Sequence, residues 1–341
     1  MTIGVEIDLV FLGLAGFAAD PSFIVAQVMK PWALKYFPNG GVLSEQELLR
    51  FHAHESTNLK MLFDSSFQVK PNSAVRSQVQ VEGRTETGAP LKISTPILRN
   101  GTFEIIVPEL LAFLRKRFVV HTNKSASIHV HVGIGRPYSW YFFRRLAQAV
   151  MMWEVTMDKH HPDKFGPHNP FLSSNRRTTS EAVGEVIARI NHQQDAPSVL
   201  RLVQSSYSTN YLPSKCFKYN LLPTLDENYN TMEFRQARST LDVEWILDWI
   251  RRVTCFVLTA IVTSSAQYMI WAEEGTVYGQ EVPVKFGCPV DDPESWCLGP
   301  NDEIELQSAV NLETGVTTFI PIESDSSEGL TEWTLDDEIM T

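Results

Sequence analysis

Cysteine is scarce in this chain, and the four residues present (Cys216, Cys255, Cys288 and Cys297) never fall at a paired C-x-x-C spacing. That excludes the usual thiolate zinc site and leaves free thiols in a reducing compartment as the expectation. Runs of Lys and Arg are missing too. The formal charge is −11, from 29 basic and 40 acidic residues, but 321–341 carry seven acidic residues and no basic one, which leaves a body of only −4. Without clustered cations to neutralise phosphates, no nucleic-acid partner is expected. A small anion held by a few local cations stays open. The first residues enter a strand-like pattern at once, without the basic region and cleavage site of a secretory signal, so a cytoplasmic location is expected. Val253 to Ile270 has no formal charge over roughly the length of a membrane span. It contains Thr254, Thr259, Thr263, Ser264, Ser265 and Gln267, however, which favours a buried core helix and no membrane contact. No internal repeat is present.

What is present is enough apolar matter for a large core: 341 residues, 43% hydrophobic and 11% aromatic. Helical patterns run over 21–37, 103–118, 139–159, 180–191, 198–205 and 241–270. Ser44 followed by Glu47 has the spacing of a capping box and predicts a short helix over 43–52. Between 62 and 98 the pattern turns to alternation, with Gly88-Ala89-Pro90 separating the last two strands. The expectation is one domain over 1–320 followed by an acidic, mobile tail at 321–341.

Three predicted strands carry polar pairs at i, i+2, which a strand projects from one face while the residues between them point into the core. Ile3-Gly4-Val5-Glu6-Ile7-Asp8-Leu9 presents two carboxylates. Ser127-Ile-His129-Val-His131-Val-Gly133 presents two imidazoles, and Thr231-Met-Glu233-Phe-Arg235 presents a carboxylate and a guanidinium. Side by side, such strands would make a half-polar face that gathers cations and anions, suited to metal and phosphate. Alone, each pair has a plainer reading: a solvated carboxylate pair, an ordinary sheet-face pair, a cross-strand salt bridge.

Taken in order, Gly4-Val-Glu-Ile-Asp8, Asp64-Ser-Ser66, Ser94-Thr-Pro-Ile-Leu98, the His-x-His strand, Tyr219-Asn-Leu221, Thr231-Met-Glu-Phe-Arg235 and Ser239-Thr-Leu-Asp242 resemble the amidoligase family, over roughly residues 3 to 275. That family is similar to the glutamate-cysteine ligase and glutamine synthetase superfamily of carboxylate-amine ligases. The resemblance implies an α+β fold whose curved, largely antiparallel sheet forms a glutamine-synthetase-like funnel, with helices on its outer face. It implies ATP and Mg²⁺ as cofactors, and a small carboxylate and an amine as substrates joined through an acyl phosphate. Relatives often assemble, so a homo-oligomer is among the expectations. By the same resemblance Glu6, Asp8, His129 and Glu233 are the metal ligands, His131 and Asn220 contact nucleotide, Arg235 holds the transferring phosphate, and Asp64 and Ser66 lie on the substrate side.

One position departs from the family pattern. Where a Glu-x-x-Ser-Pro motif is usual, this chain reads Lys92-Ile-Ser-Thr-Pro96. Three readings stand: Lys92 replaces one cation with its own ammonium and joins the catalytic set, the alignment slips and Glu82 or Glu86 supplies the carboxylate, or ligase activity is lost. In the last case the chain is a nucleotide- or metabolite-binding protein on the ligase fold. A metal-dependent enzyme of another reaction type is the further alternative.

Overall fold

Alternation of β-branched and polar residues shapes the first strand. In β1 (Thr2–Leu12) Ile3, Val5, Ile7, Leu9 and Phe11 are buried, while Gly4, Glu6 and Asp8 point to the opposite face. The computed structural model describes residues 1–14, 19–47, 65–99, 101–158, 172–178, 182–204, 216–226, 229–273, 306–311 and 316–321. After β1 come α1 (Pro21–Tyr36), β2 (Val42–Ser44), β3 (Phe67–Pro71), β4 (Gln78–Val81), β5 (Arg84–Ser94), β6 (Leu98–Arg99), α2 (Phe103–Arg117), β7 (Val119–His121) and β8 (Ser127–Gly133). Then follow α3 (Trp140–Asp158), α4 (Val183–His192), α5 (Ala196–Gln204), β9 (Tyr219–Asn220), β10 (Met232–Arg238), α6 (Val243–Val262) and α7 (Ser265–Glu273).

These ten strands form one sheet in the order β2-β3-β5-β1-β8-β10-β9, with β4 added to β5 and with β6 and β7 added to β1. The β2–β3 pair is parallel; the other pairs are antiparallel. The fold is thus α+β, as expected. Helices cover the apolar face: Val25 and Met29 of α1, Leu110 and Leu114 of α2, Phe143 and Val150 of α3, and Ile250 and Phe256 of α6 share one core with Ile3, Val5, Ile128, Val130 and Phe234. Burying an aliphatic or aromatic side chain contributes about 1.5–3 kcal/mol, so this contact surface is what holds the sheet's other face in place.

The chain divides into two compact units, Met1–Val282 with Phe286–Leu298, and Pro283–Lys285 with Gly299–Thr341. In the second, β11 (Leu306–Asn311) and β12 (Val316–Pro321) pair as an antiparallel ribbon, in a stretch where the sequence shows no periodicity. Of the expected tail at 321–341, Pro321 is the last residue of β12 and the rest lies outside the described residues.

Several local expectations change. The strand through Gly88-Ala89-Pro90 is unbroken, and the turn sits instead at Glu82-Gly83, both with positive φ. Gly88 is required there because a Cβ would come within 2.7 Å of the Phe11 carbonyl oxygen. The Pro90 carbonyl accepts from Asn72 N–H, so the edge on which proline lacks a donor is the one away from β1, and the β1 ladder continues. The expected helix over 241–270 is two helices bent by 101°. Their break is capped on both sides: the Thr263 hydroxyl donates to the Thr259 carbonyl, Arg145 donates to the Ile261 carbonyl, and Ser264 Oγ accepts from Gln267 N–H. No single helix among the described residues is long and apolar enough to cross a membrane. Ser44 and Glu47 do exchange capping-box hydrogen bonds, but Leu43 and Ser44 belong to β2, so the helix begins after them. Cys255 is disulfide-bonded, against the expectation of free thiols throughout.

Candidate functional site

Register brings the three polar strands together. Glu6 pairs with His129 on one side and Ser94 on the other, Asp8 pairs with Lys92, and Glu233 pairs with both His131 and Asn220. Cross-strand partners share a face, so Lys92, Asp8, Glu6, His129, His131, Glu233 and Asn220 occupy one wall. Arg235 joins them beside a bulge, where the β8–β10 register shifts between Phe234 and Ala237.

Glu6, His131 and Glu233 form a group whose ligand atoms all lie within 4.8 Å of one another. His131 Nε2 is 3.9 Å from Glu6 Oε1 and 3.8 Å from Glu233 Oε1. Ligands about 2.1 Å from a small divalent ion are themselves about 3.0 Å apart when adjacent and about 4.2 Å apart when opposed, so this triangle fits one ion with little adjustment. His131 Nδ1 lies 3.2 Å from Thr231 Oγ1. A donor bond from Nδ1 to that hydroxyl would leave the Nε2 lone pair facing the carboxylates, and ligating histidines are commonly oriented through the other ring nitrogen in this way.

His129 sits deeper. Its Nδ1 is 3.1 Å from Glu6 Oε2 and 3.1 Å from Glu233 Oε1, and its Nε2 is 2.9 Å from Ser127 Oγ. Burial alone would push His129 toward neutrality, but hydrogen bonds to Glu233 and Glu6 outweigh it and hold its pKa above the ordinary histidine value. The carboxylates respond in kind. Burial raises both, yet His129, Lys92 and His131 bring Glu6 well below the ordinary range, and His129, His131 and Arg235 do the same for Glu233.

Asp8 stands apart from the metal-sized group. It accepts from Asn72 Nδ2 at 2.7 Å and from the Ser127 backbone N–H and hydroxyl at 3.1 and 2.7 Å, so its oxygens are occupied. Asn220 is buried; its amide donates to Glu233 Oε2 at 2.7 Å, and its oxygen accepts from Gln204 and Leu222 N–H. It orients Glu233. Arg235 donates to Glu233 Oε1 at 2.6 Å. Ser66 is buried just before β3, and Asp64 lies outside the described residues.

Lys92 is part of the wall. Its Nζ is 2.6 Å from Glu6 Oε2 and 3.3 Å from His129 Nδ1. Glu82 and Glu86 are exposed on the β4–β5 hairpin, far along the strand, so the residue opposite Asp8 is lysine and no slip in alignment changes that. Threonine in the Ser94-Thr95-Pro96 segment serves the sheet itself, since Thr95 Oγ1 accepts from Val5 N–H at 3.0 Å where β5 leaves β1. Lys70, which the sequence did not single out, is the cross-strand partner of Lys92 on β3 and stands on the same face. Alternation in Phe67-Gln-Val-Lys70 gave its strand, but only the β3–β5 register could give its neighbours.

A largely antiparallel sheet with helices on one face and a carboxylate-imidazole cluster flanked by lysine and arginine on the other defines an α+β protein with a charged, polar sheet wall. The chain belongs to the family described as "putative amidoligase enzyme", whose pattern matches residues 1–257. No curated protein matches it significantly.

Proposed function

We propose that this protein is an ATP-dependent carboxylate-amine ligase that holds one divalent cation between Glu6, His131 and Glu233. The observation that carries the reading is the joint geometry of that triangle and the two cations at its edges, Lys92 beside Glu6 and Arg235 beside Glu233. Glu6 is paired with Lys92 and Glu233 with Arg235, so the wall around the triangle is close to neutral before any ligand arrives. A bare dication gains little from a neutral wall, whereas Mg²⁺ carried on nucleotide phosphates arrives with its charge compensated. Cation and nucleotide therefore bind together. Mg²⁺ would supply neutralisation of phosphate charge.

The chain's own residues do the rest. Glu6, His131 and Glu233 hold the ion, and the buried His129 fixes both carboxylates from beneath. Arg235, which donates to Glu233 Oε1 at 2.6 Å, would offer its remaining guanidinium donors to the phosphate being transferred. Lys92 keeps Glu6 oriented and occupies the place of a second cation. The sheet wall, in this reading, is the side of the glutamine-synthetase-like funnel.

Release of ADP and phosphate from Mg²⁺–ATP only when a carboxylate and an amine are both supplied tests this directly. Nucleotide bound without turnover across broad pools supports the binding-protein alternative, and turnover without ATP supports another metal-dependent reaction.

A further inference from the structure

β9 is two residues long and ends the sheet beyond β10. No further strand pairs with it among the described residues, so the outer backbone groups of this edge must find partners elsewhere. Side-chain amides supply them. Asn175 Nδ2 donates to the Tyr219 carbonyl at 3.0 Å and its Oδ1 accepts from Tyr219 N–H at 3.3 Å, while Gln204 Oε1 accepts from Leu221 N–H at 2.6 Å. Both side chains are fully buried.

Gln204, the last residue of α5, also reaches the cation site. An amide has one accepting end and one donating end, and Leu221 N–H occupies the accepting end of Gln204. Its Nε2 is therefore turned to Asn220 Oδ1, 3.2 Å away. With Oδ1 so engaged, and accepting from Leu222 N–H at 3.1 Å as well, Asn220 presents Nδ2 to Glu233 Oε2 at 2.7 Å. The direction of one backbone N–H is thus passed through two amides to a carboxylate. A reversed Asn220 would set Oδ1 against Oε2, two buried acceptors facing each other, and Glu233 would leave the position in which Oε1 meets His129, His131 and Arg235. Resting on the ligase reading above, we infer that Gln204 is a positioning residue for the cation site: from the sheet edge it fixes the direction of the Asn220 amide and, through it, the orientation of Glu233.

The test is Mn²⁺ affinity, measured by electron paramagnetic resonance with a non-hydrolysable ATP analogue, for wild type, Gln204→Met and Gln204→Glu at about pH 6 and about pH 8.5. Gln204→Met removes the donor to Asn220 and should weaken Mn²⁺ about tenfold at both, the scale of one hydrogen bond. Gln204→Glu keeps the wild-type shape. While protonated, its carboxyl still accepts from Leu221 N–H and donates to Asn220, and it should bind as wild type does at the same pH. Once ionised it offers Asn220 only an acceptor, and should lose at least as much as Gln204→Met. A role in packing alone would give the same loss at both pH values. Undiminished affinity in Gln204→Met, or Gln204→Glu weakened equally at both pH values, would overturn the inference; should Gln204→Met fail to fold, the Gln204→Glu comparison decides. If wild type binds no Mn²⁺, the cation reading fails, and the inference is then decided without metal by the nuclear magnetic resonance signal of the Asn220 side-chain amide, assigned by its loss in Asn220→Asp. That signal should shift in Gln204→Glu at the higher pH, and an unmoved signal would overturn the orienting role.

Discussion

Lys92 Nζ lies 2.6 Å from Glu6 Oε2, so an ammonium stands against one of the carboxylates of the proposed cation site. At an effective dielectric of about 20, unit charges about 4 Å apart interact by about 4 kcal/mol, and a dication beside Lys92 meets a larger repulsion. Replacing it should change the ion count. Lys92→Glu is expected to bind two Mn²⁺ in the presence of nucleotide where wild type binds one, as read by isothermal titration. An unchanged count would show that Lys92 does not stand in for an ion.

The two histidines should separate stability from metal affinity. His129→Ala removes the shared partner of Glu6, Glu233 and Ser127 from a buried position, so urea unfolding should show a loss of about 3 kcal/mol or more, the scale of breaking a buried charge pair. His131→Ala should cost less than about 1 kcal/mol of stability and weaken Mn²⁺ binding at least tenfold. A reversal of these effects would return the ligand role to His129.

Asp8→Asn offers a parallel contrast. Its carboxylate accepts three hydrogen bonds from Asn72 and Ser127, so the variant should lose about 1–3 kcal/mol of stability and still bind one ion. A lost ion would make Asp8 a ligand.

A separate buried carboxylate sets a pH dependence. Glu154 on α3 accepts from Arg176 N–H at 2.9 Å and lies 3.6 Å from Lys218 Nζ, which pairs with Asp158. Burial raises the Glu154 pKa above 4.5 despite the opposing pull of Lys218. A carboxyl whose folded pKa is raised favours the folded state below the unfolded value and loses that contribution as pH rises through the folded value. Glu154→Gln keeps an acceptor for Arg176 without the charge. Its stability relative to wild type should therefore increase as pH rises above about 4.5, measured by urea midpoints from pH 4 to 8. A constant difference would mean that Glu154 is not held protonated by burial.

Much of the wall was legible because a strand's period of two is strict: Glu6 with Asp8, His129 with His131 and Glu233 with Arg235 each fall on one face, and the residues between them are core. Roles within the wall were less legible. Which histidine faces the metal-sized triangle depends on Thr231 and Ser127 taking opposite ring nitrogens, and Asp8 is withdrawn by Asn72, 64 residues away. Such facts belong to register, which local pattern does not encode. The Gly88-Ala89-Pro90 stretch misled for the same reason. Gly88 and Pro90 are turn-formers by propensity, but a close approach to Phe11 and an edge at Pro90 where only its carbonyl is bonded, to Asn72 N–H, make them strand.

Whether one ion sits between Glu6, His131 and Glu233 is decided by Mn²⁺ stoichiometry, measured by electron paramagnetic resonance with a non-hydrolysable ATP analogue. Wild type should bind one ion per chain, with clear loss in His131→Ala and in Glu233→Gln. No bound ion in wild type, or undiminished binding in both variants, would contradict the site and the ligase chemistry built on it.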